Sequence, residues 1–431
     1  MMLVKSFLLT CFIFFGHIGI SCADQIFVSS DSDDMDRFQE AFILAKPGDE
    51  IVLPSGFYEI ADGLSIDVDD VIVSGAGLNK TILSFKKQLT GAQGLIVTSD
   101  NVTLRDFAIE DAKGDAIKAK GSDGIYFINI RTEWTGGPRS TNGAYGLYPV
   151  ESRDVLIDGC VAIGASDAGI YVGQSENIIV RNSRAEDNVA GIEIENSYYA
   201  DVYNNVTTHN SGGILIFDLP DLPQQGGHHV RVFGNQVIDN NTDNFAPEGS
   251  IVGEVPRGTG IIIMAISDVE IFDNDILNNG TINLAIVSFS ESNQKIYSGA
   301  LDREKGKSRY TNENYYPHPK SIQIHSNRFD SSGFNPDIEK EMAGILAEVA
   351  NGEMPDIFWD GILPISQMIF GQPEEEKLVL GYNSNASFLA IRPIRIMLSI
   401  PNPITRDQNP YKDEIKPLNG ISIELPKGIF E

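Results

Sequence analysis

Apolar residues recur at fixed places through the central third of the chain. Segments opening at Gly146, Gly169 and Gly191 read "GLYPVESRDVLIDGCVAIGAS", "GIYVGQSENIIVRNSRAEDN" and "GIEIENSYYADVYNNVTTHN". "GILIF" from Gly213 and "GIIIMAISDVEIFDNDILNN" from Gly260 take the same form. The steps from Gly146 to Gly213 are about 22 residues each, and each unit carries two short alternating strands. Leu95, Ile117, Leu147, Ile170, Ile192, Ile214 and Ile261 form one column. Val97, Ala119, Pro149, Val172, Ile194, Ile216 and Ile263 form the next. A second pair of columns runs through Val155/Ile157, Ile178/Val180, Val230/Val232, Val269/Ile271 and Ile322/Ile324. Residues alternating along a strand share a face, so each column points one way and its neighbours the other. One unit cannot bury its apolar side alone, whereas stacked units build a continuous core. With no helical period between the strands, and no L-x-x-L-x-L frame, the pattern predicts an all-β chain wound as a parallel β-helix.

A further column holds Cys160, Ser183, Asn205, Asn235, Asn274 and Asn327. Stacked asparagines can hydrogen-bond along a ladder at a turn, which makes Cys160 a small buried thiol in an asparagine position. At the start, "DRFQEAFILAKPGDEIVLPSGFYEI" (Asp36–Ile60) predicts a short amphipathic helix that plugs the first coil, then a strand. Beyond about Asn335 the repeat fades. A helical stretch, "DIEKEMAGILAEVANG", and then "MPDIFWDGI" lead into a small mixed C-terminal extension packed on the last coils. The expected organisation is a leader at 1–23, a cap and first coils at 24–80, the β-helix at 81–335 and the extension at 336–431.

The leader rests on Lys5, the apolar run "FLLTCFIFFGHIGI", and Ser21 and Ala23 where a signal peptidase reads. Cleavage before Asp24 implies a secreted or periplasmic protein. A lipid anchor on Cys22 is the alternative, disfavoured by Gly19 where a lipobox has leucine. No later apolar stretch has spanning length. Cleavage leaves Cys160 as the sole cysteine, so no internal disulfide or thiolate metal cluster is available. The net charge of −28 disfavours nucleic acid and anionic membranes as partners, and weakens the case for a polyanionic substrate.

Insertions mark the working face of such a solenoid. They stand at Thr132–Asn142, Asp218–His229 and Asn241–Thr259, with a longer one from Glu291. The first precedes the "G-I-x-I" strand and the second follows it, so these two could wall a groove over its outer side. The outward residues there include Tyr148, Tyr171 and Glu193, beside Glu195, then Glu151, Gln174, Asn196 and Asp218. Tyrosines offer flat faces for sugar rings, and paired carboxylates can flank a glycosidic bond. The candidate catalytic residues are therefore Glu151, Glu193 and Glu195. Tyr148, Tyr171, Gln174, Asn196, Asp218 and Arg153 are the candidate substrate-binding residues. Taken singly, each such residue more often only solvates or covers a sheet. No metal ligands or cofactor motif are recognisable, and the acidic run "SSDSDDMD" lacks the glycine and terminal glutamate of a calcium loop. His228-His229 on an inserted loop points to neither base nor ligand by itself.

From Gly94 to about Ile286 the units resemble the right-handed parallel β-helix repeats of pectate lyases, polygalacturonases, alginate epimerases and NosD-like periplasmic proteins. The stretch from Ala144 to Ser197, with "MPDIFWDGI", looks closer still to a secreted family of unassigned activity. That likeness implies a c-type cytochrome partner, which no residue here shows. The mannuronan C5-epimerases carry Tyr-Gly-(apolar)-Asp-Pro-His-Asp on such a coil. Tyr145, Gly146, Leu147 and Pro149 match it and Glu151 keeps the last acid, but Tyr148 and Val150 replace the first aspartate and the catalytic histidine. Epimerisation does not carry over without that base. Two functions are thus expected as alternatives: binding, with cleavage or epimerisation, of a polysaccharide, or a non-catalytic periplasmic scaffold or maturation partner.

Overall fold

The computed structural model describes residues 24–29, 36–289, 315–384 and 386–426. The expected leader, most of the acidic run and most of the insertion from Glu291 lie outside these residues. Within them, three long sheets are wound by one strand per turn. Sheet A runs from Gln25–Phe27 through Arg153–Asp158, Glu176–Arg181 and Tyr198–Tyr203 to Leu378–Leu380. Sheet B runs from Gly56–Glu59 through Val161–Ile163 to Arg328–Asp330. Sheet C runs from Leu64–Ile66 through Tyr145–Val150, Ala168–Gly173, Ala190–Glu195 and Gly212–Phe217 to Phe388–Ile391, and ends in Ile404–Thr405. That last two-residue strand is antiparallel and covers the sheet's final edge.

The repeat columns explain this winding. Leu147, Ile170, Ile192, Ile214 and Ile261 pair in register along sheet C and are fully buried. Val155, Ile178, Ala200, Val230 and Val269 do the same in sheet A. The helix Asp36–Leu44 buries Phe38 and Phe42 against the first coils, leaving Ile43 and Leu44 outside. The coils also continue past residue 335. Ile357–Trp359 and Phe388–Ile391 extend sheet C, and Leu378–Leu380 extends sheet A.

The asparagine column forms an interior ladder. Asn205 donates from its amide N–H and side chain to Asn235 Oδ1 at 2.9 and 3.0 Å, and Asn235 repeats this to Asn274 at 2.9 Å in both bonds. Asn274 hands on to Asn327, and Asn327 to Asn383. Cys160 stands at the early end, its N–H donating to Ser183 Oγ at 3.1 Å. Burial pushes its thiol up to about 12. Ellman's reagent at neutral pH therefore leaves the native thiol unlabelled and titrates it on unfolding; stoichiometric labelling of the folded protein would contradict this burial. A second ladder, Asn188–Asn210–Asn240–Asn279, turns the corner between sheets B and C.

The final residues cross the outside of sheet A against the order of the coils. The Lys416 N–H donates to Gln323 Oε1, Leu418 N–H to Glu270 Oε2 and Ile421 N–H to Asp201 Oδ2. Ile421, Ile423 and Leu425 pack near Tyr126, Leu156, Ile179 and Tyr203.

Candidate functional site

On the outer side of sheet C the ladder reads Lys118, Tyr148, Tyr171, Glu193, Leu215, and beside it Val150, Gly173, Glu195, Phe217. Hydrogen-bonded register between the Tyr145 and Ala168 strands holds at Tyr145, Leu147 and Val150, and skips Pro149, which has no N–H to give. Tyr145, Tyr148 and Tyr171 gather into one cluster with ring centroids 4.4, 4.6 and 5.0 Å apart. Tyr148 is half-buried, with Lys118 Nζ 4.5 Å from its ring centroid. The Tyr171 ring lies along its own strand over Gly173. A Cβ on Gly173 would come within 2.3 Å of that hydroxyl, so only glycine fits.

Carboxyls lie against these rings. Tyr171 donates to Glu195 Oε2 at 2.5 Å and accepts from Gln174 Nε2 at 3.2 Å. Asp167, half-buried, accepts from the Tyr145 hydroxyl at 3.4 Å. Glu193 is 5 % exposed, and its Oε2 has no hydrogen-bond partner. Burial, then repulsion from Glu195, pushes Asp167 up to about 7. Burial and the charge of Asp218 push Glu195 up to about 7, against the Tyr171 bond. Burial holds Glu193 well above the usual carboxylate range, with Asp167 and Glu195 adding to the effect. Asp167 and Glu195, raised to near neutrality beside the buried Glu193, form an arrangement suited to acid–base work.

The other candidates are placed differently. Glu151, Gln174 and Asn196 adopt positive φ, at 52°, 48° and 46°, and turn the corner between sheets C and A. Glu151 is exposed there and pairs with Lys120 at 3.6 Å, apart from the carboxyl cluster. Asn196 is fully buried and pins the following insertion, bonding Leu219 N–H and the Leu219 and Gln224 carbonyls. Asp218 accepts from the Gly226 and Gly227 amides, closing the same loop. Arg153 is exposed on sheet A and pairs with Glu176 at 2.7 Å, away from the tyrosines. Asp167 and Tyr145 are the members that the repeat columns did not single out. Among the described residues no group of three His, Cys, Asp or Glu side chains is placed to hold a metal ion.

Residues 79–222 match the family model described as a right handed beta helix region. The chain is a right-handed parallel β-helix protein. No curated protein sequence matches it. The β-helix is similar in course to the A-module of the mannuronan C-5 epimerase AlgE4 of Azotobacter vinelandii, at 15% identity over 82% of this chain and 91% of that one, with a TM-score of 0.46. It is also similar to a DFA-IIIase of Arthrobacter chlorophenolicus A6, at 11% identity over 72% and 90%, with a TM-score of 0.41. The tailspike of E. coli bacteriophage HK620, solved with a pentasaccharide, matches at 13% identity over 68% and 52%, with a TM-score of 0.42. Among the described residues no helix of the β-helix protein is long and apolar enough to cross a membrane.

Proposed function

We propose that sheet C binds an uncharged saccharide chain across Tyr148 and Asp167, and that Asp167 and Glu195 act on it as a proton-sharing pair in a secreted or periplasmic protein. The observation that supports this most is the half-buried Tyr148 and Asp167 standing over carboxyls that hold protons near neutrality. A tyrosine face packs against a sugar ring, and carboxyls hydrogen-bond its hydroxyls. Two carboxyls whose environments keep one protonated and one ionised can protonate a leaving oxygen and activate a nucleophile. Among the described residues the cation over these rings, Lys118, lies on Tyr148 close to Asp115, which argues for a neutral rather than a uronic chain.

The non-catalytic scaffold is the second reading, favoured by the burial of Glu193 and by the structural use of Asn196 and Asp218. Nothing at the site supports the cytochrome partner.

The test is a screen of neutral, cationic and anionic polysaccharides for new reducing ends and for unsaturated-product absorbance, with and without calcium. On the saccharide that turns over, Tyr148→Ala weakens binding about tenfold, near 1.4 kcal/mol. Glu195→Gln lowers turnover by roughly a hundredfold or more, and the wild-type rate peaks near neutral pH. Binding without turnover sustains the scaffold reading. Neither turnover nor a sugar-dependent thermal shift on any polysaccharide sinks the saccharide assignment.

A further inference from the structure

Past Glu193 and Glu195 the outer ladders of sheet C turn wholly apolar. Glu195 is followed by Phe217, Met264 and Val287, and Glu193 by Leu215, Ile262, Ala285 and Phe358. Over these coils stand the insertion with the short helix Val252–Glu254, the helix Glu341–Ala350 and the helix Pro393–Met397. They do not close on the sheet. A cavity of about 440 Å³ remains, floored by Phe217, Ile262, Met264, Val287 and Phe358. That is the size of a small-molecule site, and many times one water molecule.

Loose packing alone would leave the cavity's edge covered. Instead Ile345 and Ile396, which line it, are 46% and 58% exposed. The polar lining has one sign. Asp360 and Ser288 lie at the sheet end, and exposed Glu254 and Glu341 stand on the wall elements. Among the described residues no lysine, arginine or histidine is part of the lining, and Arg395 of the wall helix lines the smaller neighbouring cavity instead. Asp360 is fixed, accepting from the Ser288 N–H at 2.6 Å and the Ile362 N–H at 3.0 Å. Burial raises Asp360 to about 7, so a carboxylate or phosphate head would chiefly meet the exposed charges of Glu254 and Glu341, whereas an ammonium complements all three acids.

We propose that this cavity binds a small amphiphile with an apolar body and one ammonium head, the body on the Ile262–Met264–Val287 floor and the head among Glu254, Glu341 and Asp360. The cavity adjoins the saccharide surface where Phe217 pairs with Glu195, and differs from it in ligand. Apolar burial supplies the affinity, and the acidic lining selects the head group.

Titration of the full chain with decylamine, decanol and decanoate, below their aggregation concentrations, tests this by calorimetry. The amine binds at about one equivalent and about tenfold or more tighter than the alcohol, while decanoate does not bind. Ile262→Trp fills the floor and removes both. The double substitution Glu254→Gln, Glu341→Gln alters only exposed side chains and brings the amine down to the level of the alcohol. Glu374→Gln with Glu375→Gln, two exposed acids outside the lining, leaves it unchanged and controls for the general negative charge. Equal binding of all three probes overturns the proposal, as does no binding of any. An amine insensitive to the Glu254, Glu341 pair also overturns it, even where Ile262→Trp fails to fold.

Discussion

Raising the pH from about 5 to about 8.5 lowers the thermal midpoint of this protein by on the order of 5 °C. Asp167, Glu193 and Glu195 hold protons more tightly in the fold than in the unfolded chain, because burial disfavours their charged forms and the neighbouring carboxyls repel. Between the ordinary carboxylate range and the folded value of about 7 for Asp167 and Glu195, the native state carries more protons than the unfolded state. Stability therefore falls as pH rises through that window and levels off above it. The net charge of −28 also repels itself, so a single substitution must isolate the cluster. Glu193→Gln keeps the shape and removes the charge. It flattens the profile and stabilises the protein at pH 8.5 by about 1–2 kcal/mol, while changing little at pH 5. Calorimetric scans of both proteins at both pH values decide the matter. A variant with the wild-type slope would show that Glu193 ionises without penalty.

The second large effect lies in the asparagine ladder. Asn235→Ala costs about 3–5 kcal/mol. Its Oδ1 receives the Asn205 N–H and side chain, and its Nδ2 serves the Val202 carbonyl and Asn274 Oδ1. Alanine strands all of these in the interior at once, where no water replaces them. Asn383→Ala, at the half-buried late end of the same ladder, costs about 1–2 kcal/mol because solvent reaches part of what it leaves. Urea unfolding measures both. An Asn235→Ala protein within about 1 kcal/mol of wild type would mean that the ladder follows the winding without stabilising it. A separated, two-step transition would show that the ladder also couples neighbouring coils.

The coils were legible because each core position is repeated in a column, and a column of Leu147, Ile170, Ile192 and Ile214 has few other uses. The site was legible only along the strand. Alternation placed Tyr148, Tyr171, Glu193 and Glu195 on one face, where the structure also has them. Carried one residue too far, it put Glu151, Gln174 and Asn196 on that face as well. Their positive φ swings the chain around the corner, and alternation says nothing of a corner. The bonds of Asn196 to Leu219 and Gln224 join positions a full coil apart, beyond any local pattern. Asp167 and Tyr145 fall outside the repeat columns because they precede the glycine that opens each unit, although Tyr145 does match the epimerase element. The strands begin one residue earlier, at Tyr145 and Ala168, and Asp167 stands just before the second. Small residues at Ala168, Ala190 and Gly212, in register after Tyr145, were the available signal of a pocket for that ring.

The chain segment laid across sheet A sets an order of events during synthesis. Coils of a solenoid contact only their neighbours, so they can wind as they leave the ribosome. Ile421 reaches back 220 positions to Asp201, and Leu418 reaches back 148 to Glu270. The acids Asp201 and Glu270 and the apolar patch at Tyr126, Leu156 and Ile179 therefore stay open to the surroundings until the last stretch of chain arrives. A chain cut short before residue 416 can complete its winding and still present a bare, adhesive flank.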